Sequence, residues 1–147
     1  MSNSAIEVTV YSDGSDQDGL DQVTKAFGHY DTNGVDYVTT NGDLDDSLRE
    51  AEAKAADTEG KDLIVILTQD GSHDDRESAK RSFEALAADG NFVVVVSRNA
   101  LTGDNAAFLT WADDKSPYAG SVDLLTLDQL PGTEVAKWAK TVVGATA

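Results

Sequence analysis

The sequence predicts an α/β fold: a three-layer, doubly wound, mainly parallel five-stranded sheet with helices on both faces. Three observations predict it. Two runs, Leu63–Leu67 (LIVIL) and Phe92–Val96 (FVVVV), are apolar at every position rather than at every second one. Strands of that kind belong to a sheet covered on both sides, which means parallel strands. Between the two runs lie a carboxylate-bearing loop, one amphipathic helix and a glycine stop, the content of a single crossover. The alternation of strand and helix then repeats along the chain, which favours right-handed crossovers and the strand order 2-1-3-4-5. At 147 residues the chain is read as one domain, 1–147, large enough to bury its own core.

Ile6–Tyr11 alternates, with Ile6, Val8 and Val10 on one face and Glu7, Thr9 and Tyr11 on the other, and is the first strand. Asp18–Tyr30 follows as a helix with Leu20, Val23, Phe27 and Tyr30 on one side. Val35–Thr39 is a short second strand. Asn41–Asp43 opens a helix bearing Leu44, Leu48, Ala51 and Ala55 at helical spacing, with Asp45 and Asp46 in the first turn, where the helix dipole favours anions. Leu63–Leu67 is the third strand. A helix from about Asp75 to Ala88 turns Ala79, Phe83 and Leu86 inward and stops at Asp89-Gly90. Phe92–Val96 is the fourth strand. Leu101–Ala119 is less regular, with a short helix around Ala106–Ala112. Val122–Leu127 is the fifth strand, and Pro131-Gly132-Thr133 starts a terminal helix carrying Val135, Trp138, Ala139 and Val142 on one side.

Composition narrows the function classes. The net charge is −16, from 27 acidic and 11 basic residues, which opposes binding to nucleic acid phosphates and to anionic membranes. The acidic residues are mostly Asp and are scattered through nearly every loop. Scatter of that kind suits a surface kept soluble at high salt, where screening over ~3 Å at 1 M removes the self-repulsion. There is no cysteine, so disulfides, thiolate nucleophiles and zinc-thiolate sites are excluded. No apolar run approaches the ~20 residues of a membrane span, and MSNSAIEVTV lacks the basic-then-apolar pattern of a signal peptide. The expected location is intracellular or in a virion.

In an open α/β sheet, ligands sit beyond the carboxyl ends of the strands. The loops there are Ser12-Asp13-Gly14-Ser15-Asp16-Gln17, Thr39-Thr40-Asn41-Gly42-Asp43 and Thr68-Gln69-Asp70-Gly71-Ser72. They concentrate oxygen ligands suited to a hard divalent cation. They are also rich in the residues that turns and helix caps use for reasons unrelated to ligands.

These segments resemble the von Willebrand factor A (integrin I-like) domain family. LIVILTQDGSHDD, its helix and FVVVVSRNA look like that family's strand ending in T-D-G, helix and next strand. GDLDDSLREAEAKAA looks like its G-T-x-x-x-x-A-L-x-x-A helix, and YSDGSDQ like the D-x-S-x-S turn of its metal-ion-dependent adhesion site. The resemblance implies Asp13, Ser15 and Asp70 as metal ligands. The chain departs from the pattern where Gln17 replaces the second Ser and Gly42 stands at the position of the metal-binding Thr. The expectation is therefore a degenerate site that holds no cofactor, with at most weakly bound Mg²⁺ or another divalent cation.

Catalytic signatures are missing: the sequence has no GxGxxG after the first strand, no Walker loop, no GxSxG elbow and no HExxH. His73 lies in an acidic loop without a positioned nucleophile, and His29 needs no function. A receiver-like reading has Asp13, Asp16 and Asp70 available but no Lys after the fifth strand. The chain is thus read as not an enzyme. It is expected to be a protein-binding or scaffold module, with a protein partner or self-assembly as its mode of action and no role with nucleic acid or membrane. Two alternatives stay open: a structural component of a large assembly such as a virion head or tail, and an enzyme or receiver-like domain on a flavodoxin-like scaffold. Because −16 charges share one small domain, stability is expected to rise with salt. A melting temperature that falls steadily between about 0.1 and 2 M KCl would contradict the screening argument.

Overall fold

The computed structural model describes residues 7–27, 35–56 and 62–130. Five strands form one sheet within them: β1 (Glu7–Ser12), β2 (Asp36–Thr39), β3 (Asp62–Thr68), β4 (Phe92–Ser97) and β5 (Val122–Thr126). The order is β2-β1-β3-β4-β5 and every neighbouring pair is parallel, as the strand–helix alternation predicts. The helices are α1 (Gln17–Phe27), α2 (Leu44–Ala56), α3 (Arg76–Ala88) and α4 (Gly103–Asp114). None of the described helices is long and apolar enough to cross a membrane. Ile6, His29, Tyr30 and the helix expected from Pro131, with Val135, Trp138, Ala139 and Val142, lie outside the described residues.

The continuous apolar runs divide between two cores. Leu63, Val65 and Leu67 of β3 and Phe92, Val94 and Val96 of β4 face one side, where Val23 and Phe27 of α1 and Leu127 and Leu130 pack against them. Ile64, Ile66, Val93 and Val95 face the other side, under Leu44 and Leu48 of α2, Ala79, Phe83 and Leu86 of α3, and Phe108 and Leu109 of α4. Each such side chain taken from water contributes about 1.5–3 kcal/mol, so a strand with two covered faces stabilises twice over per unit length. β1 fits between β2 and β3, and its less apolar face is buried too: Thr9 and Tyr11 are 2% and 1% exposed. β2, at the sheet edge, is exposed along most of its length and carries Tyr37, 53% exposed.

Local chemistry sets the helix ends. Asp75 caps α3 by accepting from the Ser78 N–H at 3.1 Å. The expected stop after Ala88 is present: Gly90 takes φ +87°, and the Asn91 N–H returns to the Leu86 carbonyl at 3.0 Å. α4 is longer than the segment expected around Ala106–Ala112. Its central outer positions, Ala107 and Thr110, are small and uncharged, so the contrast between buried and solvent faces that reveals a helix in sequence is weak there. The fifth strand ends at Thr126 rather than Leu127, because a 3-10 turn over Leu127–Gln129 follows, closed by a reciprocal Thr126–Gln129 capping box.

Phe83 ties α3 to α4 and to the segment before β5. It is fully buried, stacks on Tyr118 at 5.6 Å and tilts against Phe108 at 6.2 Å. Burial, with the charges of Glu84 and Glu77, pushes the Tyr118 hydroxyl up to about 12. Phe83→Ala is expected to destabilise by about 3–5 kcal/mol, and a denaturant midpoint equal to the wild type would show that the cavity argument fails.

Candidate functional site

The chain leaves β1 for β2 on one side of the sheet, while β3 lies on the other. That reversal opens a crevice beyond the strand ends. A cleft of about 160 Å³ lies there, lined by Ser12, Asp13 and Asp16 after β1, by Asn41, Gly42 and Asp43 after β2, and by Leu67, Thr68, Gln69 and Ser72 at the end of β3. Of the three residues predicted as metal ligands, Asp13 lines the cleft. Ser15 and Asp70 are not among its lining residues.

Each loop is shaped by its own short side chains. Asp13 Oδ1 accepts from the Ser15 N–H at 2.9 Å and from the Ser15 hydroxyl at 2.6 Å. These two donors hold the Asp13 carboxyl below its ordinary value of 3.8. Ser15 thus orients Asp13 through its N–H and its hydroxyl. Gln17 turns its amide Nε2 back onto the Gly14 carbonyl at 3.0 Å, which closes the turn. Asp16 caps α1 through the Gly19 N–H at 2.8 Å.

After β2, the Thr40 N–H donates to the Ser12 carbonyl at 2.8 Å, joining the first two loops. Thr40 Oγ1 accepts from the Gly42 N–H at 3.1 Å and lies 2.9 Å from the Ser47 hydroxyl. Gly42 has φ +93°, and a Cβ there would come within 3.0 Å of Asp13 Oδ2. Glycine at this position therefore lets the Asp13 carboxylate lie against the second loop. After β3, Thr68 Oγ1 accepts from the Gly71 N–H at 3.0 Å, and Asp70 Oδ1 accepts from the Ser72 N–H at 3.1 Å. The Asp70 carboxylate is used as a turn-former at an exposed position.

Two features were not legible in the sequence. Arg98, just past β4, reaches over the end of β3 and grips Asp16 with two nitrogens, at 2.5 and 2.7 Å, with a third contact to Asp18 at 3.0 Å. The Arg98 hydrogen bonds outweigh the burial of Asp16 and hold its carboxyl below the ordinary value. An isolated arginine at a strand end in so acidic an edge was the available signal. The second feature is the start of α2. Asp45 is 3% exposed. Burial works against its charge, but the Asp74 N–H at 3.1 Å, its own backbone N–H and Arg49 outweigh that, and its pKa is lowered. Asp43 is the opposite case: burial, a shared hydrogen bond with Asp74 and the nearby charges of Asp74, Asp45 and Asp46 raise it.

His73 is held by its own loop, by Arg76 and by α4. Its Nδ1 lies 3.0 Å from the Gly71 carbonyl, its Nε2 accepts from Arg76 at 3.3 Å, and its ring packs on Phe108 at 5.0 Å.

The opposite shifts have opposite consequences for stability. Asp13, Asp16 and Asp45 stabilise the fold above the ordinary value of 3.8, and that contribution is lost as pH falls below it through their lowered folded values. Asp43 binds its proton more tightly in the fold, so it destabilises at neutral pH and is relieved as pH falls through its raised value towards 3.8. Asp43→Asn is therefore expected to raise the urea midpoint at about pH 7 and to leave it nearly unchanged at about pH 3.5. A lowered midpoint at neutral pH counts against this assignment.

No protein-family model matches this chain, and no curated protein matches it, so the chemistry of the cleft carries the functional argument.

Proposed function

We propose that this chain is a non-catalytic protein-binding or scaffold module that uses the carboxyl edge of its sheet to engage the Lys and Arg side chains of a protein partner. One observation carries the reading. Asp13 and Asp43 line the same cleft, and neither is paired with a basic side chain among the described residues, whereas Asp16 beside them is matched by Arg98. An ammonium or guanidinium group entering the cleft would meet two carboxylates that lack a basic partner of their own. Size supports the same reading. A cleft of about 160 Å³ accepts a side-chain head group, while sites for cofactors and drug-sized ligands run to ~300–1,000 Å³.

The resemblance to von Willebrand A domains supports adhesion as the role of this edge. Gln17 and Gly42 stand where that family places hydroxyl ligands, and the Gln17 amide is folded onto Gly14. Those departures favour a partner's cation over a firmly held divalent metal. The aspartates scattered over the remaining surface support adaptation to high salt, where a contact of this kind is retained only if it is made at close range.

Calorimetric titration with a Lys- and Arg-rich peptide, and separately with Mg²⁺, Mn²⁺ and Ca²⁺, tests the reading. The peptide is expected to bind the wild type and to lose about tenfold or more in affinity with Asp13→Ala, with binding weakened by salt. Equal peptide affinity in both proteins would overturn the proposal. Micromolar divalent-metal binding that disappears in Asp13→Ala would restore a metal-dependent adhesion site.

A further inference from the structure

Exposed helix positions on this chain are mostly charged: Asp18, Asp21 and Lys25 on α1, Arg49, Glu50 and Glu52 on α2, Glu77, Arg81 and Glu84 on α3. α4 departs from that pattern. Between Asp104 and Asp113 it carries no charge, and its outward positions Ala107 and Thr110 are exposed. With Ala106 and Trp111 they line an open groove of about 410 Å³ that ends at Asp114 and Lys115. An uncharged outward helix face can be covered by another chain without desolvating a carboxylate.

We propose that this groove is the interface of an antiparallel homodimer, α4 packed on α4 of a second copy. The placement of charge selects this occupant. Gly103, Ala107, Thr110 and Asp114 recur at i, i+4, i+7 and i+11 and form one stripe. Asp104, Trp111 and Lys115 recur at i, i+7 and i+11 along one flank of that stripe. Lys80 of α3 sits 5.0 Å from the Trp111 ring centroid. A two-fold axis across the stripe keeps this flank on one side and reverses its direction. Asp104 of each copy then lies on the same flank as the partner's Lys115, about 3 Å from its level along the axis, at both ends of the contact. Ala107 meets the partner's Thr110 at the centre, where small side chains let the helices approach closely. Asp113 falls on the other flank, away from the partner's Asp104.

The helix ends fit the same arrangement. Thr102, the N-cap residue of α4, makes no side-chain cap hydrogen bond, unlike Asp75 of α3. The antiparallel pairing lays the partner's Asp114 over that N-terminus, where the helix dipole favours an anion. A parallel two-fold pairing would instead set Asp114, on the stripe itself, against the partner's Asp114 and put the two Asp104 residues on opposite flanks. A helix of 12 residues is about 18 Å long, so the contact lies at the small end of specific interfaces and the dimer is weak. This surface is independent of the cleft at the strand ends, and the cleft could fail as a binding site without affecting it.

Sedimentation equilibrium of the full chain in about 0.5 M KCl, where net repulsion between copies is screened, tests the proposal. A monomer–dimer equilibrium is expected. Ala107→Glu, an exposed helical substitution, is expected to weaken it by about tenfold or more by placing like charges at the centre of the contact. Asp104→Lys and Lys115→Asp are each expected to weaken it, and the double variant to return it to within about twofold of the wild type. Unchanged thermal unfolding of the diluted variants confirms that the monomer is intact. A chain that stays monomeric at millimolar concentration, a dimer unaffected by Ala107→Glu, or a double variant no better than the singles overturns the proposal.

Discussion

The requirement that β3 be buried on both faces at once governs the molecule. From Leu63 to Leu67 every side chain is removed from water, odd positions into the core under α1 and even positions into the core under α2, α3 and α4. A strand in that situation must have neighbours on both edges as well, because its backbone groups are cut off from water. β1 and β4 supply them in parallel, with Tyr11 beside Ile66 and Thr68 beside Ser97. That register brings the ends of the three central strands to one edge, and all the loops that could carry function start from there.

A parallel sheet also gathers helix N-termini at the same edge, and here it gathers carboxylates with them. Most of those carboxylates are matched locally. Asp16 caps α1 and is held by Arg98, Asp75 caps α3, and Asp45 takes the Asp74 N–H and Arg49. Hydrogen bonds of this kind to ionised groups are stronger than neutral ones, and they let an acidic edge remain ordered. Asp43 is the exception, pressed against Asp74 with no cation of its own among the described residues. Asp13, held ionised by Ser15, lies along the same cleft. Asp13 and Asp43 thus line the cleft without a basic partner among the described residues, an arrangement that favours a cation over an anion there.

The two proposed surfaces bear on different parts of one electrostatic problem. A chain of net charge −16 repels its own copies and attracts basic partners at long range. At contact range the cleft offers unmatched carboxylates to such a partner, whereas α4 offers the one described helix face whose central exposed positions lack charge. The fold itself chooses neither role, since doubly wound sheets host many activities. The choice is made by the short side chains that end each strand and by the small residues on a single helix.

Hydrophobic patterning alone determined the architecture. LIVIL and FVVVV read as strands of a covered sheet from their length and β-branched content, Phe83 and Leu48 as inward positions on their helices, and Asp89-Gly90 as a stop, because periodicity and backbone conformation are local properties. Asp13 at the first strand end was legible for the same reason. What the sequence did not show were relations between residues far apart in the chain: Arg98 reaching Asp16 across the end of β3, Asp74 meeting Asp43 and Asp45 at the start of α2, and Gly42 making room for the Asp13 carboxylate. Nor did it show which residues would line one cleft: Asp13 does, Asp43 joins it from another loop, and Ser15 and Asp70 make turn hydrogen bonds within their own loops. Apolar burial acts through the pattern of each segment. Electrostatic pairing acts through distances of a few ångströms that only the folded sheet, with its fixed parallel register, brings into being.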